Sequence, residues 1–145
     1  MQKTFTNQIY IEKSPEQVMD FLLHPQNWKK FSTGVIAVNY AGDKLTLNST
    51  GSFTRKQGPN TAVEEFKVAE LIHGKKLTLE VTTNLFFAHD ASEYQAENNG
   101  TKATFNETLT ARGFMGYVFL FLLAGVINKS LKADYARLKK VIETS

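Results

Sequence analysis

The last third of this sequence constrains the fold most, because it predicts one long helix behind a body rich in strands. Between Phe114 and Glu143, apolar residues recur at spacings of four and three, which places them on one stripe that faces a core: Leu120, Ala124, Ile127, Leu131, Tyr135, Leu138 and Ile142. The first half of the helix carries further apolar residues outside that stripe, namely Val118, Phe119, Phe121, Leu122, Leu123 and Val126. This surplus predicts that the helix start meets a cavity, a partner or a membrane.

A strand and two short helices are predicted from the N-terminal sequence. Residues 4–12 alternate apolar and polar side chains, as a half-buried strand does. Ser14 is a favourable helix N-cap, and Pro15 suits the first helical position. Because Pro25 ends this first helix, a second short helix is expected from Gln26 to Lys30.

The middle of the chain consists of strand-like segments separated by turns, as in an antiparallel sheet. From Gly34 onward, turns containing Gly, Asn and Pro separate strand-like segments at residues 35–40, 44–49, 51–56, 62–72, 77–85, 86–97 and 101–112. We expect about seven strands in all, two short helices after the first strand, and the long helix last. The sequence therefore predicts an α+β architecture in a single domain over residues 1–145.

The absence of cysteine is compatible with a reducing compartment. The chain has no cysteine, which excludes a disulfide framework, a thiol nucleophile and a cysteine metal site. Its first residues lack the basic and apolar regions of a secretory signal. The longest uninterrupted apolar run, Tyr117 to Ile127, has 11 residues, against about 20 in a membrane-spanning helix. We therefore expect a cytoplasmic protein without a transmembrane segment.

The charge distribution does not favour nucleic-acid binding. Seventeen Lys and Arg residues against fourteen Asp and Glu give a net charge of +3, spread along the chain rather than gathered in one block. Five cations do fall in the second half of the long helix: Lys129, Lys132, Arg137, Lys139 and Lys140. They are typical of a solvated helix face near a C-terminus, and the alternative is a patch for a membrane or an acidic partner.

No metal or cofactor motif is present in the sequence. His24, His73 and His89 lie far apart in different predicted elements and have no metal-ligand spacing. The segment from Gly113 to Gly116 lacks the strand-loop-helix context of a phosphate cradle, so its glycines are expected to begin the last helix. We therefore expect neither a metal nor a cofactor.

Four segments in this order carry a resemblance to a known superfamily. They are Ser14–Val18, which opens the first helix, His24–Trp28, the turn Asn99-Gly100-Thr101, and the end of the long helix at Leu131–Lys139. Together with the order of strands, they resemble the SRPBCC superfamily, which includes START-like, polyketide cyclase-like and birch-pollen-allergen-like (Bet v 1-like) proteins. The resemblance implies a helix-grip fold, in which a curved antiparallel sheet encloses an apolar cavity against the last helix. It does not imply one function, because one fold hosts many.

Apolar side chains on the predicted inward faces are expected to line this cavity and to bind a small-molecule ligand there. Strand phase selects Trp28, Phe53, Phe66, Leu79 and Phe86 from the body of the fold, with Leu120 and Leu123 facing them from the helix. A largely apolar pocket with few polar groups is the usual form of a small-molecule site.

Two polar residues are candidates for orienting a ligand or for acid–base chemistry. Glu107 shares a strand face with Phe105 and Leu109, and the superfamily pattern turns that face inward, where burial would raise its pKa. Otherwise Glu107 is exposed or pairs with an arginine, Arg55 or Arg112. Tyr94 is the second candidate, but the phase of strand 86–97 stays open, because a shift of one residue would turn Phe87, His89 and Glu93 inward instead of Phe86, Asp90, Ser92 and Tyr94.

Three functions are compatible with these features. The leading hypothesis is a carrier or sensor that buries a hydrophobic small molecule such as a lipid, polyketide or isoprenoid. The second is a cyclase- or dehydratase-type enzyme in which Glu107 and either Tyr94 or His89 move protons. The third is an interaction module or homodimer that uses the apolar start of the long helix.

Overall fold

A computed structural model describes all 145 residues as a seven-stranded antiparallel sheet with one long helix against it. The strands are β1 (Gln2–Ile11), β2 (Val35–Asn39), β3 (Thr50–Gln57), β4 (Asn60–Ile72), β5 (Lys76–Thr82), β6 (Phe86–Glu97) and β7 (Gly100–Ala111). The helices are α1 (Pro15–Leu23), a 3₁₀ helix (Pro25–Lys30) and α2 (Gly113–Glu143). The predicted α+β helix-grip architecture is therefore confirmed.

The strand order is β1-β7-β6-β5-β4-β3-β2. From β2 to β7, consecutive strands pair with each other. The first strand, β1, lies at the edge of the sheet and pairs with β7 over the whole of its length. The register shifts once in the β2–β3 pair and once in the β4–β5 pair, between Val68 and Glu70. Irregularities of this kind bend a strand, which suits a sheet that curves around a helix.

Local sequence explains where α1 begins. The Ser14 side chain accepts a hydrogen bond from the Gln17 backbone N–H at 3.2 Å, and the Gln17 side chain accepts one from the Ser14 N–H at 3.0 Å. This reciprocal capping box satisfies two donors that the first turn of a helix leaves free. In the 3₁₀ helix that follows, Trp28 is buried and donates from Nε1 to the Leu22 carbonyl at 3.0 Å.

The strand expected at residues 44–49 is wrong. Leu45 is buried there, and its N–H bonds the Leu23 carbonyl of α1 instead of a neighbouring strand. Ser49 Oγ donates to the Thr46 carbonyl at 2.6 Å and accepts from the Thr46 N–H at 3.2 Å, while Asn48 has a positive φ of 66°. These local side-chain bonds compete with a strand ladder, so the segment forms a turn.

The two halves of α2 lie in different surroundings. In the second half, Asp134, Leu138 and Ile142 are buried, and Lys139 Nζ donates to the Tyr10 carbonyl of β1 at 2.6 Å. In the first half only Gly116 and Leu120 are buried. Gly116 lies so close to the Leu85 carbonyl, in the turn between β5 and β6, that an added Cβ atom would overlap with it. The helix is thus fixed firmly at its end and by a glycine contact near its start.

Candidate functional site

A cavity of about 540 Å³ lies between the sheet and the middle of α2. Of the 33 residues that line it, 21 are hydrophobic, which is the composition of a small-molecule pocket. Its most exposed lining residues are Gln57, Asn84, Val126 and Ser130. The cavity therefore opens to solvent between α2 on one side and the end of β3 and the β5–β6 turn on the other.

The phase of β6, which the sequence left open, is now determined. Phe86, Ala88, Asp90, Ser92 and Tyr94 line the cavity. The residues of the opposite phase, Phe87, His89 and Glu93, are exposed outside it. His89 is therefore removed from the acid–base chemistry that the sequence had allowed it.

Two carboxyl groups meet in the cavity wall. Asp90 on β6 and Glu107 on β7 are direct register partners and both line the cavity, so their carboxyl groups lie side by side in its wall. Asp90 Oδ1 is buried and has no hydrogen-bond donor among the protein groups. A proton on one carboxyl group would let it donate to the other, so the pair is suited to holding one proton between them.

Burial sets the acidity of this pair. Desolvation raises the pKa of Asp90 well above its usual range, and the negative charge of Glu107 raises it further. Desolvation also raises the pKa of Glu107, although the hydrogen bond with Asp90 and the charge of Arg55 partly offset the effect. The expectation that Glu107 points inward with a raised pKa agrees with its position in the structure.

The nearby cations are already engaged with other carboxylates. Arg55 Nε bonds Glu64 Oε2 at 2.7 Å, so the Arg55–Glu107 pair weighed from the sequence is not formed. Arg137 pairs with Asp134, whose carboxylate also accepts a hydrogen bond from the Thr33 N–H. No base pairs with Asp90 or Glu107. The polar wall of the cavity therefore has an excess of acidic groups.

Arg112, the other partner considered for Glu107, lies elsewhere. Its guanidinium group donates to the Thr83 carbonyl and lies over the Phe87 ring, 4.7 Å from the ring centroid. Because Phe87 is on the outer face of β6, an Arg112–Glu107 pair is excluded.

Two tyrosines line the same cavity as the carboxyl pair, and only one of their hydroxyl groups has a hydrogen-bond partner. Tyr94 Oη lies 2.6 Å from Ser92 Oγ, which donates to the Leu77 carbonyl at 3.0 Å. Tyr135 of α2 stacks on Phe105 with the ring centroids 4.2 Å apart, and no protein group hydrogen-bonds its hydroxyl. Burial raises the pKa of both phenols, and the carboxylates of Glu107 and Asp90 raise that of Tyr135 further. Both phenols therefore stay protonated, and the Tyr135 hydroxyl is the one left free for a ligand.

Six of the residues predicted to bind a ligand line the cavity: Trp28, Phe53, Leu79, Phe86, Tyr94 and Glu107. Trp28 and Phe53 meet edge to face, with their ring centroids 6.0 Å apart. They form an apolar wall in the same cavity as the carboxyl pair. Their lining positions are established, and their contact with a ligand stays a prediction.

Three residues predicted to bind a ligand, Phe66, Leu120 and Leu123, do not line the cavity. Phe66 packs behind Trp28, with the ring centroids 5.0 Å apart, and Leu120 is fully buried in the core. Leu123 is 37% exposed on the outer side of α2. The cavity meets the helix farther along the chain, at Val126, Ile127, Ser130, Leu131, Asp134, Tyr135 and Leu138.

Two polar members of the site, Asp90 and Tyr135, are not among the ligand-binding residues predicted from the sequence. The sequence places Asp90 in one of two possible phases of its strand and Tyr135 on the core stripe of the helix. Tyr135 follows Leu131 by four residues, so its spacing does place it on the inward face. Spacing alone does not distinguish a cavity wall from a filled core. No group of three or more His, Asp or Glu residues is arranged to hold a metal ion.

Solved structures share this fold at low sequence identity. An uncharacterised protein from Rhizobium leguminosarum matches with a TM-score of 0.79 and 11% identity, over 100% of this chain and 97% of that one. Ara h 8.0201 matches with a TM-score of 0.76 and 8% identity, over the whole of both chains. The Aha1 dimer from Colwellia psychrerythraea matches with a TM-score of 0.71 and 19% identity, over 97% and 96% of the two chains. At these identities the likeness shows the fold alone.

A comparison with curated proteins gave no match. A family model described as polyketide cyclase / dehydrase and lipid transport matches residues 2–143. The match covers nearly the whole chain and agrees with the Bet v 1-like fold of its structural neighbours. The chain therefore belongs to the polyketide cyclase / dehydrase and lipid transport family, within the SRPBCC superfamily.

Proposed function

We propose that this protein binds a hydrophobic small molecule in its internal cavity, as a carrier or sensor, and that the ligand also carries a cationic or hydrogen-bond-donating group. The observation that carries the proposal is a largely apolar cavity with one unneutralised pair of carboxyl groups, Asp90 and Glu107, in its wall. Family membership supports the coarse part of the proposal, the binding of a hydrophobic ligand.

The chemistry of the wall supports this class of ligand. A buried carboxylate is costly unless a cation or a donor satisfies it. Glu64 and Asp134 have their own arginines, whereas Asp90 Oδ1 has no donor. A ligand ammonium or hydroxyl group would supply the missing donor, and the free hydroxyl of Tyr135 would add a contact. The alkyl or ring portion of the ligand would then lie against Trp28 and Phe53.

The test is native mass spectrometry of the protein purified from its own host, followed by extraction of any retained molecule. We expect the protein to keep a bound molecule after gentle desolvation, and the mass of that molecule should be that of an apolar amine or alcohol. Trp28 is the only tryptophan and lines the cavity, so its fluorescence provides a second readout when the extracted molecule is titrated back. If the protein carries no ligand and Trp28 emission does not respond to any apolar amine or alcohol, the proposal is wrong.

A cyclase- or dehydratase-type activity is the second candidate, favoured by the same carboxyl pair. Two carboxyl groups that share one proton provide an acid and a base in contact with each other, which proton transfer during cyclisation or dehydration requires. Glu107→Gln separates the two functions, because glutamine keeps the shape and can still hydrogen-bond but cannot titrate. An enzyme would lose turnover of its substrate while the fold is kept, whereas a carrier would keep its affinity for purely apolar ligands.

A further inference from the structure

The first half of α2 presents an uninterrupted apolar surface to solvent. Eight exposed side chains form it, and we call them the apolar collar: Phe114, Met115, Tyr117, Phe119, Phe121, Leu122, Leu123 and Val126. Phe114 is 78% exposed and Leu122 is 67% exposed. From Gly113 to Ile127 no charged residue occurs, and the only polar side-chain group is the Tyr117 hydroxyl. A contiguous apolar patch of this kind marks an interaction surface.

The collar is too exposed for a core helix. An 18-residue window of α2 has a mean hydropathy of 1.7, and only 11% of that window is buried. The uninterrupted apolar run of 11 residues is shorter than this apolar segment of the helix. By length and hydropathy alone α2 could cross a membrane. However, Gly116 and Leu120 hold the collar against the domain, and buried Asp134 with its partner Arg137 lies in the second half of the helix.

Cations stand at both ends of the collar. Arg112 precedes it, and Lys129 and Lys132 follow it on exposed positions. None of the three is in an ion pair, and no acidic residue occurs between Arg112 and Asp134. An apolar helix face flanked by cations that no carboxylate neutralises is complementary to a bilayer with anionic head groups.

This charge pattern argues against a second copy of the chain as the occupant. A homodimer formed through the collar would bring Arg112, Lys129 and Lys132 of the two copies close together, with no acidic residue of the collar segment to pair with them. Exposed apolar side chains also lie on every side of the helix except the side that faces the sheet. Partial immersion in an apolar medium covers such a surface, whereas a flat protein interface covers one side of it.

We propose that the apolar collar docks this protein on anionic lipid bilayers, with the helix start inserted among the acyl chains and Arg112, Lys129 and Lys132 at the head groups. Val126 belongs to the collar and also lines the mouth of the cavity. Docking would therefore bring the cavity opening to the membrane surface. The docking itself does not depend on what the cavity holds.

The test is co-sedimentation of the full chain with vesicles of phosphatidylcholine, with and without phosphatidylserine. Wild-type protein is expected to bind the anionic vesicles, and more weakly as salt is raised from about 0.1 M to about 1 M, because the screening length shortens. The double variant Phe121→Ser/Leu122→Ser should lower the partition coefficient by about 10- to 100-fold, since two large apolar side chains are removed. Lys129→Gln/Lys132→Gln should lower it by about 30-fold on anionic vesicles only.

The matched control is Leu47→Ser, which changes a similarly exposed leucine in the loop between β2 and β3. This variant should bind vesicles like the wild type, and circular dichroism should show the same fold for all variants. The proposal is overturned if wild-type protein binds neither kind of vesicle, or if the collar variants bind as well as Leu47→Ser. It is also overturned if sedimentation shows a dimer that Phe121→Ser/Leu122→Ser dissociates while vesicle binding is absent.

Discussion

Asp90 and Glu107 lie directly opposite each other on β6 and β7, with both carboxyl groups in the cavity wall and no base to pair with either. Opposite positions in an antiparallel pair bring side chains close enough to interact strongly. The two groups therefore titrate as a unit, and the first proton removed leaves a charge that opposes removal of the second. This relationship connects the sheet register to the class of ligand that the cavity can accept.

The carboxyl pair should make wild-type stability fall as pH rises. The pKa of Asp90 is raised in the folded state by burial and by Glu107, while an unfolded Asp has a pKa of about 3.9. Between these two values the folded state holds more protons than the unfolded state, so the stability present at low pH is lost as pH rises through the folded pKa. Asp90→Asn removes this loss, and its free energy of unfolding relative to wild type should increase with pH.

Urea denaturation at a series of pH values from about 4 to about 8 measures this difference. A gain of about 1.4 kcal/mol in relative stability is expected for each unit by which folding raises the pKa. Glu97→Gln, an exposed carboxylate on the same strand, is the control and should show no such rise. A difference between Asp90→Asn and wild type that stays flat with pH would show that the pair is solvated.

Gly116 should be intolerant of even a methyl group, whereas Gly125 in the same helix should accept one. An alanine Cβ at Gly116 would overlap with the Leu85 carbonyl, which also accepts the Arg112 N–H at 2.8 Å, whereas nothing lies within 4 Å of a Cβ at Gly125. Gly116→Ala is expected to destabilise the fold by about 1–3 kcal/mol. Gly125→Ala should stabilise it by up to about 1 kcal/mol through helix propensity.

Thermal unfolding measures both variants, and the melting temperature should fall for Gly116→Ala and rise for Gly125→Ala. Because the substitutions are chemically identical and nine residues apart in one helix, propensity alone would shift both melting temperatures upward. Equal upward shifts would contradict the close packing of α2 on the β5–β6 turn.

Two tryptophan substitutions test which part of the site borders the cavity. Leu79 on β5 lines it beside Asp90, its register partner, whereas Leu123 lies outside it on α2. Leu79→Trp should fill part of the cavity and weaken binding of an apolar dye by about tenfold or more, since the added side chain occupies ligand volume. Leu123→Trp should leave affinity unchanged. Fluorescence titration of both variants checks this, and the opposite order of affinities would contradict the assigned cavity.

The sequence predicts the elements of this fold well because its turns are strongly marked. Ser14 and Pro15 define the start of α1, and the four-and-three spacing defines α2 to within one residue of its observed start. The segment at residues 44–49 alternates apolar and polar residues as a strand does, but it forms no strand, because the Leu45 N–H bonds the Leu23 carbonyl of α1. A contact so distant in sequence leaves no local signal.

Part of the site, the pairing of Asp90 with Glu107, can also be predicted from the sequence. Asn98 and Asn99 both have positive φ, 48° and 64°, and Glu97 pairs with Gly100, so the β6–β7 hairpin has a two-residue turn. Asn-rich two-residue turns favour this geometry, and counting outward from the turn would have paired Asp90 with Glu107. By contrast, the rotation of α2 about its axis depends on the contact of Gly116 with Leu85. This is why Leu123 could not be excluded from the cavity by its spacing.

Isothermal calorimetry with a matched series of ligands, an amine, an alcohol and a carboxylate on the same alkyl chain, tests directly whether the carboxyl pair selects the ligand. We expect saturable binding with affinity falling in the order amine, alcohol, carboxylate, because the wall holds unneutralised carboxyl groups. Asp90→Asn/Glu107→Gln should remove this preference while retaining binding of the alcohol. Equal affinity for the carboxylate and the amine in the wild-type protein, or no saturable binding of any of the three, would show that Asp90 and Glu107 do not select the ligand.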